Sequence, residues 1–297
     1  MKYITVEHID DGSIVRISLN RPKQRNAQHR GLLVELDQAF ADAEADDTVR
    51  VIILAGNGPS FSAGHDLGSA EAHAQRDPGP DQHPSFQEFG GTRKGAERRT
   101  LQESQFYFRN TLRWRNVQKI TIAQVHGKVL SAGLMLMWAC DLITAGEDTE
   151  FADVVATRMG MCGVEYFAHP WEFGPRRAKE MLLTGDSMNA EEAYQIGMVS
   201  KVFDRDTLAD QTIEFARRIA ALPTAASVLV KESVNQAVDN MGFYSSLQAG
   251  FSLHQLNHAH WAEIHDDGYH GAHVEDGIED WRNPSPIQVR NPNKASG

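Results

Sequence analysis

The apolar run Val51-Ile52-Ile53-Leu54-Ala55 does not alternate with polar residues, and it passes through Phe61 into Ser62-Ala63-Gly64-His65-Asp66-Leu67. A strand of this kind is covered on both faces, which suits a parallel sheet flanked by helices. The small-residue turn that leaves it can point backbone N–H groups into a cleft, where they are not consumed by a ladder. Such donors can hold an oxyanion. A second junction of the same kind runs from Ile120–Val125 through His126-Gly127 to Ser131-Ala132-Gly133 and the apolar Leu134–Trp138. The first N–H groups of a helix lack intrahelical partners and carry partial positive charge, so two such turns facing each other would polarise a carbonyl.

The rest of the chain fits that architecture. Tyr3–His8 and Ile14–Leu19 alternate around Asp10-Asp11-Gly12 as a hairpin, and Leu32, Leu33, Leu36, Ala39, Phe40 and Ala43 recur at helical spacing. Strand and helix patterns then alternate to about Phe203, the order of a parallel α/β sheet with crossovers. After it, Thr207–Leu222 and Ala225–Asn240 read as helices separated by Pro223, with Ile213, Ala216, Ala220 and Leu222 as an apolar stripe. No run of about 18 apolar residues predicts a membrane span. The opening Met1-Lys2-Tyr3-Ile4 lacks the pattern of a secretory signal, and Cys140 and Cys162 form no disulfide framework. Both point to the cytoplasm. A net charge of −11 argues against nucleic acid as the main partner.

The ordered motifs Leu19-Asn20-Arg21-Pro22 with Asn26-Ala27, Phe61 to Leu67, Val125-His126-Gly127, Cys140-Asp141 and Leu183-Thr184-Gly185-Asp186 carry a specific likeness. Over roughly residues 1 to 240 the chain resembles the enoyl-CoA hydratase/isomerase (crotonase) superfamily. The resemblance implies a crotonase-like spiral of ββα repeats over residues 1–204, with a variable insertion at 69–110 that shapes the acyl pocket. Residues 205–297 are expected to form a C-terminal helical oligomerisation region, assembling a homotrimer or a dimer of trimers. An acyl-CoA thioester is the implied partner; coenzyme A belongs to the substrate, and no cofactor is needed.

The resemblance also assigns a site. The backbone N–H groups of His65 and Ala132 would receive the thioester oxygen, with Ala132 standing where the family usually has glycine. A methyl group is tolerated there if φ stays negative. Ala63, Asp66, Leu67, Met135 and Val155 would line the acyl site, and Asp66 would orient its loop. Arg21, Lys23 and Arg25 would meet the adenine and phosphate end of coenzyme A. Relatives that hydrate enoyl thioesters carry two glutamates, and counting without gaps puts Met135 and Val155 in their places. Neither can move a proton, so efficient hydration is not expected. Asp153, Glu165 and His169, with the His65 imidazole, are candidate replacements, Glu165 foremost.

Three readings follow: an acyl-CoA enzyme running isomerisation, hydrolysis, decarboxylation or C–C cleavage, a non-catalytic acyl-CoA-binding scaffold, and a serine peptidase. The last has Ser62, Ser131 and His126 available but no nucleophile elbow. His254, His258 and His260 stand at metal-compatible spacing, but without a supporting Cys or Glu-x-x-His pattern they are read as part of a packing helix, and no metal is assigned.

Overall fold

A computed structural model describes residues 1–76, 93–267 and 269–277. The breaker cluster at Asp77-Pro78-Gly79-Pro80, the rest of 77–92 within the expected insertion and the arm at 283–297 lie outside them.

The hairpin forms as the alternation predicts. Strands β1 (Ile4–Ile9) and β2 (Ile14–Leu19) pair antiparallel from Ile4 opposite Leu19 to Ile9 opposite Ile14, with Asp10 and Asp11 at φ 52° and 54° in the turn. Beyond it the pairing turns parallel through β3 (Val51–Gly56), β4 (Ile120–Val125), β6 (Leu142–Gly146) and β9 (Lys201–Phe203), giving a sheet in the order β1-β2-β3-β4-β6-β9. The helix Arg30–Ala45 starts where His29 Nδ1 accepts the Leu32 amide at 2.9 Å, and it buries all six apolar residues that set its period.

A second, smaller layer makes the spiral. β5 (Lys128–Leu130), β7 (Glu150–Ala152) and β8 (Met188–Asn189) form a short sheet, extended by bridges of Ser62 to Val129 and of Gln28 to His65. β4 runs into β5 and β6 into β7 before the chain crosses back, and β2 and β3 are followed by the bridging residues Gln28 and Ser62, which is the ββα repeat. The candidate amides lie just past the short layer, His65 beyond the Ser62 bridge and Ala132 at the start of the helix that follows β5.

The C-terminal helices divide differently from the expectation. The helix Leu208–Ala220 lies on the outer face of the main sheet, where Ile213, Ala216 and Ala220 pack with Ile14, Val51, Ile53 and Ile122. The stripe expected to face another subunit is therefore covered within the chain, apart from Leu222, which is 48% exposed. Pro223 sits just before the helix Thr224–Asn240 at its N-cap, not within its first turn, and the helix Phe243–Ile264 follows. Lys231 reaches back to Asp141 at 3.0 Å and donates to the Lys119 carbonyl. No helix among the described residues is long and apolar enough to cross a membrane.

Candidate active site

The turn after β3 is built so that one amide remains unused. Ser62 Oγ donates to the Asn26 carbonyl and accepts from Gln28 Nε2 and the Gly64 amide. Ala63 donates to Arg25 O, Gln28 to Gly64 O at 2.7 Å and Asp66 to Gln28 O at 2.9 Å. Among the described residues the His65 amide between them has no acceptor, and at the second turn neither does the Ala132 amide, because Ser131 N bonds Ala152 O and Leu134 N bonds Ser131 O.

The two turns meet backbone to backbone. A Cβ on Gly64, at φ +90°, would lie 2.9 Å from Leu130 O and 3.3 Å from Ala132 N, and one on Gly133 would lie 2.5 Å from Ser62 O. Only glycine permits this approach. Ala132 is absent from the positive-φ positions; Ser131 takes that conformation instead, at φ 47° and ψ −113°. Strain of this kind at a non-glycine residue persists where the surroundings enforce it. Ala132 has no solvent exposure, whereas the His65 side chain keeps 17%.

The structure brings His65 and Glu165 together and keeps Asp153 with His169. His65 Nε2 lies 3.0 Å from Glu165 Oε2, its ring leans on Tyr107 with centroids 3.9 Å apart, and Nδ1 has no partner among the described residues. Behind it Glu165 is buried, with Oε1 3.5 Å from His254 Nε2. Burial works against the Glu165 charge, but the neighbouring His65 and His254 rings outweigh it and hold the carboxyl low. Asp153 and His169 pair at 2.9 Å without exposure, Asp153 also accepting the Val155 amide at 3.0 Å. His169 is walled by Trp138, Phe167 and Phe173.

Other residues named from sequence fall into distinct groups. Arg21 is buried, and its guanidinium is held by Asp66 at 2.8 Å, by Glu71 at 3.0 Å and by the Ala27 carbonyl. Buried and paired in this way it clasps the loop from within, which differs from its expected place at the surface meeting coenzyme A. Lys23 and Arg25 are exposed. Asp66 accepts Ser69 Oγ at 2.6 Å and the Ser69 amide at 2.9 Å, so it shapes the turn. Ala63 is half-buried and Leu67 is 52% exposed, while Met135 is buried in the main core with Val155 packed against it. Ser62 and His126 are committed to backbone carbonyls, His126 to Gly58 O at 2.9 Å, and form no catalytic pair.

Sequence reasoning missed Glu103 and Tyr107, which enter from the segment assigned to a variable insertion. Glu103 ends the helix Gly95–Glu103, and a π-helical stretch, Ser104–Arg109, follows and carries Tyr107. π segments often mark functional positions, but no local spacing announces one. Burial and the charge of Glu165 push the Glu103 carboxyl above its usual range. Two groups of described residues could hold a metal ion: Glu103, Glu165 and His254, and Glu103, His258 and His270.

A spiral α/β scaffold in which two turns meet backbone to backbone, each with a main-chain amide unbonded among the described residues, matches a class of proteins that act on acyl thioesters. The family model for enoyl-CoA hydratase/isomerase matches residues 10–90 and 84–263, and the chain belongs to this crotonase superfamily. It is 66% identical over 281 residues to EchA13 of Mycobacterium tuberculosis, provisionally named an enoyl-CoA hydratase, covering 95% of this chain and 88% of that one. A solved structure of a probable enoyl-CoA hydratase from Mycobacterium smegmatis superposes with a TM-score of 0.80 at 43% identity, over 92% of this chain and 100% of the other. A 4-chlorobenzoyl coenzyme A dehalogenase from an Arthrobacter species is 28% identical over 263 residues, 88% of each chain.

Proposed function

We propose that the protein is an acyl-CoA enzyme in which the His65 and Ala132 amides hold the thioester oxygen while the His65 ring, oriented by Glu165, moves the proton. The observation that carries this reading is the close approach of the two turns at Gly64, each with an amide that has no acceptor among the described residues, and an imidazole on one of them. Each such donor is worth roughly 3 kcal/mol where charge develops on the oxygen. With Nε2–H given to Glu165, His65 Nδ1 bears the lone pair and is the base. Glu165 is too deeply buried to serve except through that ring. Asp153 and His169 take a structural part, tying the segment before Val155 to the helix that His169 begins. Ala63, Leu67, Met135 and Val155 line the acyl site, Lys23 and Arg25 offer the exposed charge for the phosphate end of coenzyme A, and no cofactor beyond that coenzyme is called for.

Met135 and Val155 stand in for the glutamate pair of hydratases in this reading, so one base replaces two carboxyls. That suits isomerisation, hydrolysis, decarboxylation or C–C cleavage, which pass through the same oxyanion or enolate, better than water addition. The sequence relationship to a dehalogenase supports such breadth. Purified protein is tested against a panel of acyl-CoA esters, following both the conjugated thioester and free coenzyme A. Turnover of at least one non-hydratable ester is expected. Efficient hydration of simple enoyl-CoAs overturns the reading, and binding without product from any ester favours a scaffold.

Residues 1–204 serve as the acyl-CoA-binding core, with 69–110 selecting the acyl group, and 205–297 as the assembly region of a cytoplasmic homotrimer or dimer of trimers. Leu229, Val230 and Val234 on one late helix and Leu253 and Leu256 on the next are each more than half exposed, the kind of apolar surface that a second copy covers. Light scattering on the Leu229→Glu/Val230→Glu variant is expected to show a smaller particle than wild type. A wild-type monomer would refute the assembly.

A further inference from the structure

We infer that Glu103, Glu165 and His254 bind a divalent first-row transition-metal ion of the zinc class, in a structural site directly behind His65. The three side chains come from separate segments: the end of the helix Gly95–Glu103, the loop before His169, and the helix Phe243–Ile264. All three are buried, and their ligand atoms lie within 4.8 Å of one another. Two carboxylates and one imidazole suit zinc and its neighbours, and such a set keeps a position open for water.

The His254–Glu165 separation suits two ligands of one ion better than a direct hydrogen bond. His254 Nε2 stands 3.5 Å from Glu165 Oε1 and 3.9 Å from Glu103 Oε2. Donor atoms around a tetrahedral ion with bonds of about 2.0–2.2 Å are roughly 3.3–3.6 Å apart. The hydrogen bond from His65 to Glu165 in the same cluster is a normal 3.0 Å. His254 Nε2, in a side chain only 3% exposed overall, has no hydrogen-bond partner among the described residues and is aimed between the carboxyl groups.

Each ligand is also held from behind, as metal ligands are. His254 turns Nε2 inward because Nδ1 is bonded to the Gly163 carbonyl at 2.8 Å. Glu103 accepts Gln255 Nε2 at 2.5 Å, and Gln255 in turn accepts Thr100 Oγ1 at 2.8 Å. Glu165 is held by His65. Two carboxylates buried together need compensating charge; without an ion the two carboxyls hold His254 above its usual range against its burial, and a divalent ion would take over that part by displacing the proton. The spacing of His254, His258 and His260 concealed this set, since only His254 belongs to it and His260 is exposed. The inference does not require the thioester reading, and its test uses no substrate.

Full-length protein, purified without a histidine tag and stripped with a chelator, is dialysed against Zn²⁺ alone and assayed by elemental mass spectrometry. Binding of about one ion per chain is expected. Glu103→Gln and His254→Asn should each weaken it by at least about 10–100-fold, the cost of losing even a supporting partner, and His260→Ala should not. Wild-type protein loaded with Co²⁺ should show the visible bands of a low-symmetry site, which keeps the test valid if a variant fails to fold. No stoichiometric Zn²⁺ on wild type, or binding that survives His254→Asn but falls in His270→Ala, overturns the assignment.

Discussion

His65→Ala is expected to lower kcat by about 10²–10⁴-fold, the range for loss of a general base, while acyl-CoA binding persists. The substitution removes the ring but keeps the backbone N–H, so it separates the two parts His65 plays. Nothing in the turn depends on the ring for its conformation, since Gln28, Ser62 and Asp66 fix the backbone on either side. Glu165→Gln should act through the same ring, disturbing the Nε2 hydrogen bond without touching either amide. If the two work as a unit, the double variant will be little worse than His65→Ala alone. Single-turnover kinetics on all three proteins, with affinities measured separately, checks this. Additive losses, or a collapse of binding in His65→Ala, would contradict the assignment.

Gly64→Ala is expected to damage the oxyanion site and the fold together. At φ +90° an alanine is strained, and its methyl would meet Leu130 O at 2.9 Å and crowd Ala132 N at 3.3 Å. The backbone strain alone amounts to about 1–3 kcal/mol. Prising the turns apart should cost about 10²–10³ in kcat through loss of a donor. Denaturant unfolding gives the first quantity and turnover under conditions where the variant stays folded gives the second. A variant with wild-type turnover would show that the turns need not touch.

How much of this was legible in the residues differs from place to place, for physical reasons. The strands, the hairpin and the helix Arg30–Ala45 follow from local periodicity, which records burial on one face or two. The turns follow from glycine placement, because close approach of backbones excludes every other residue. The motif residues proved informative about packing: Asn26 uses its amide to tie Arg21 N, Asn57 O and Ser60 O together, and Asp141 holds Thr121 and Lys231. Arg21 misled, since an arginine in a loop carries no mark of an acidic partner 45 residues on, where Asp66 waits. The stripe on Leu208–Ala220 misled in the same way, because an apolar face does not say whether its partner is this chain's own sheet or another copy. Glu103 was invisible because its meaning depends on helix Phe243–Ile264, more than a hundred residues away.

The two amide-bearing turns leave from Ser62 and from β5, which bridge in parallel with Ser62 opposite Val129, so His65 and Ala132 lie at matched places beyond that pair. The distance between the donors is therefore inherited from the sheet, whose interstrand spacing of about 4.8 Å hardly varies. It acts as a fixed gauge. Where these amides hold a carbonyl oxygen as proposed, the walls around it can change, and with them the reaction, without recalibrating that grip.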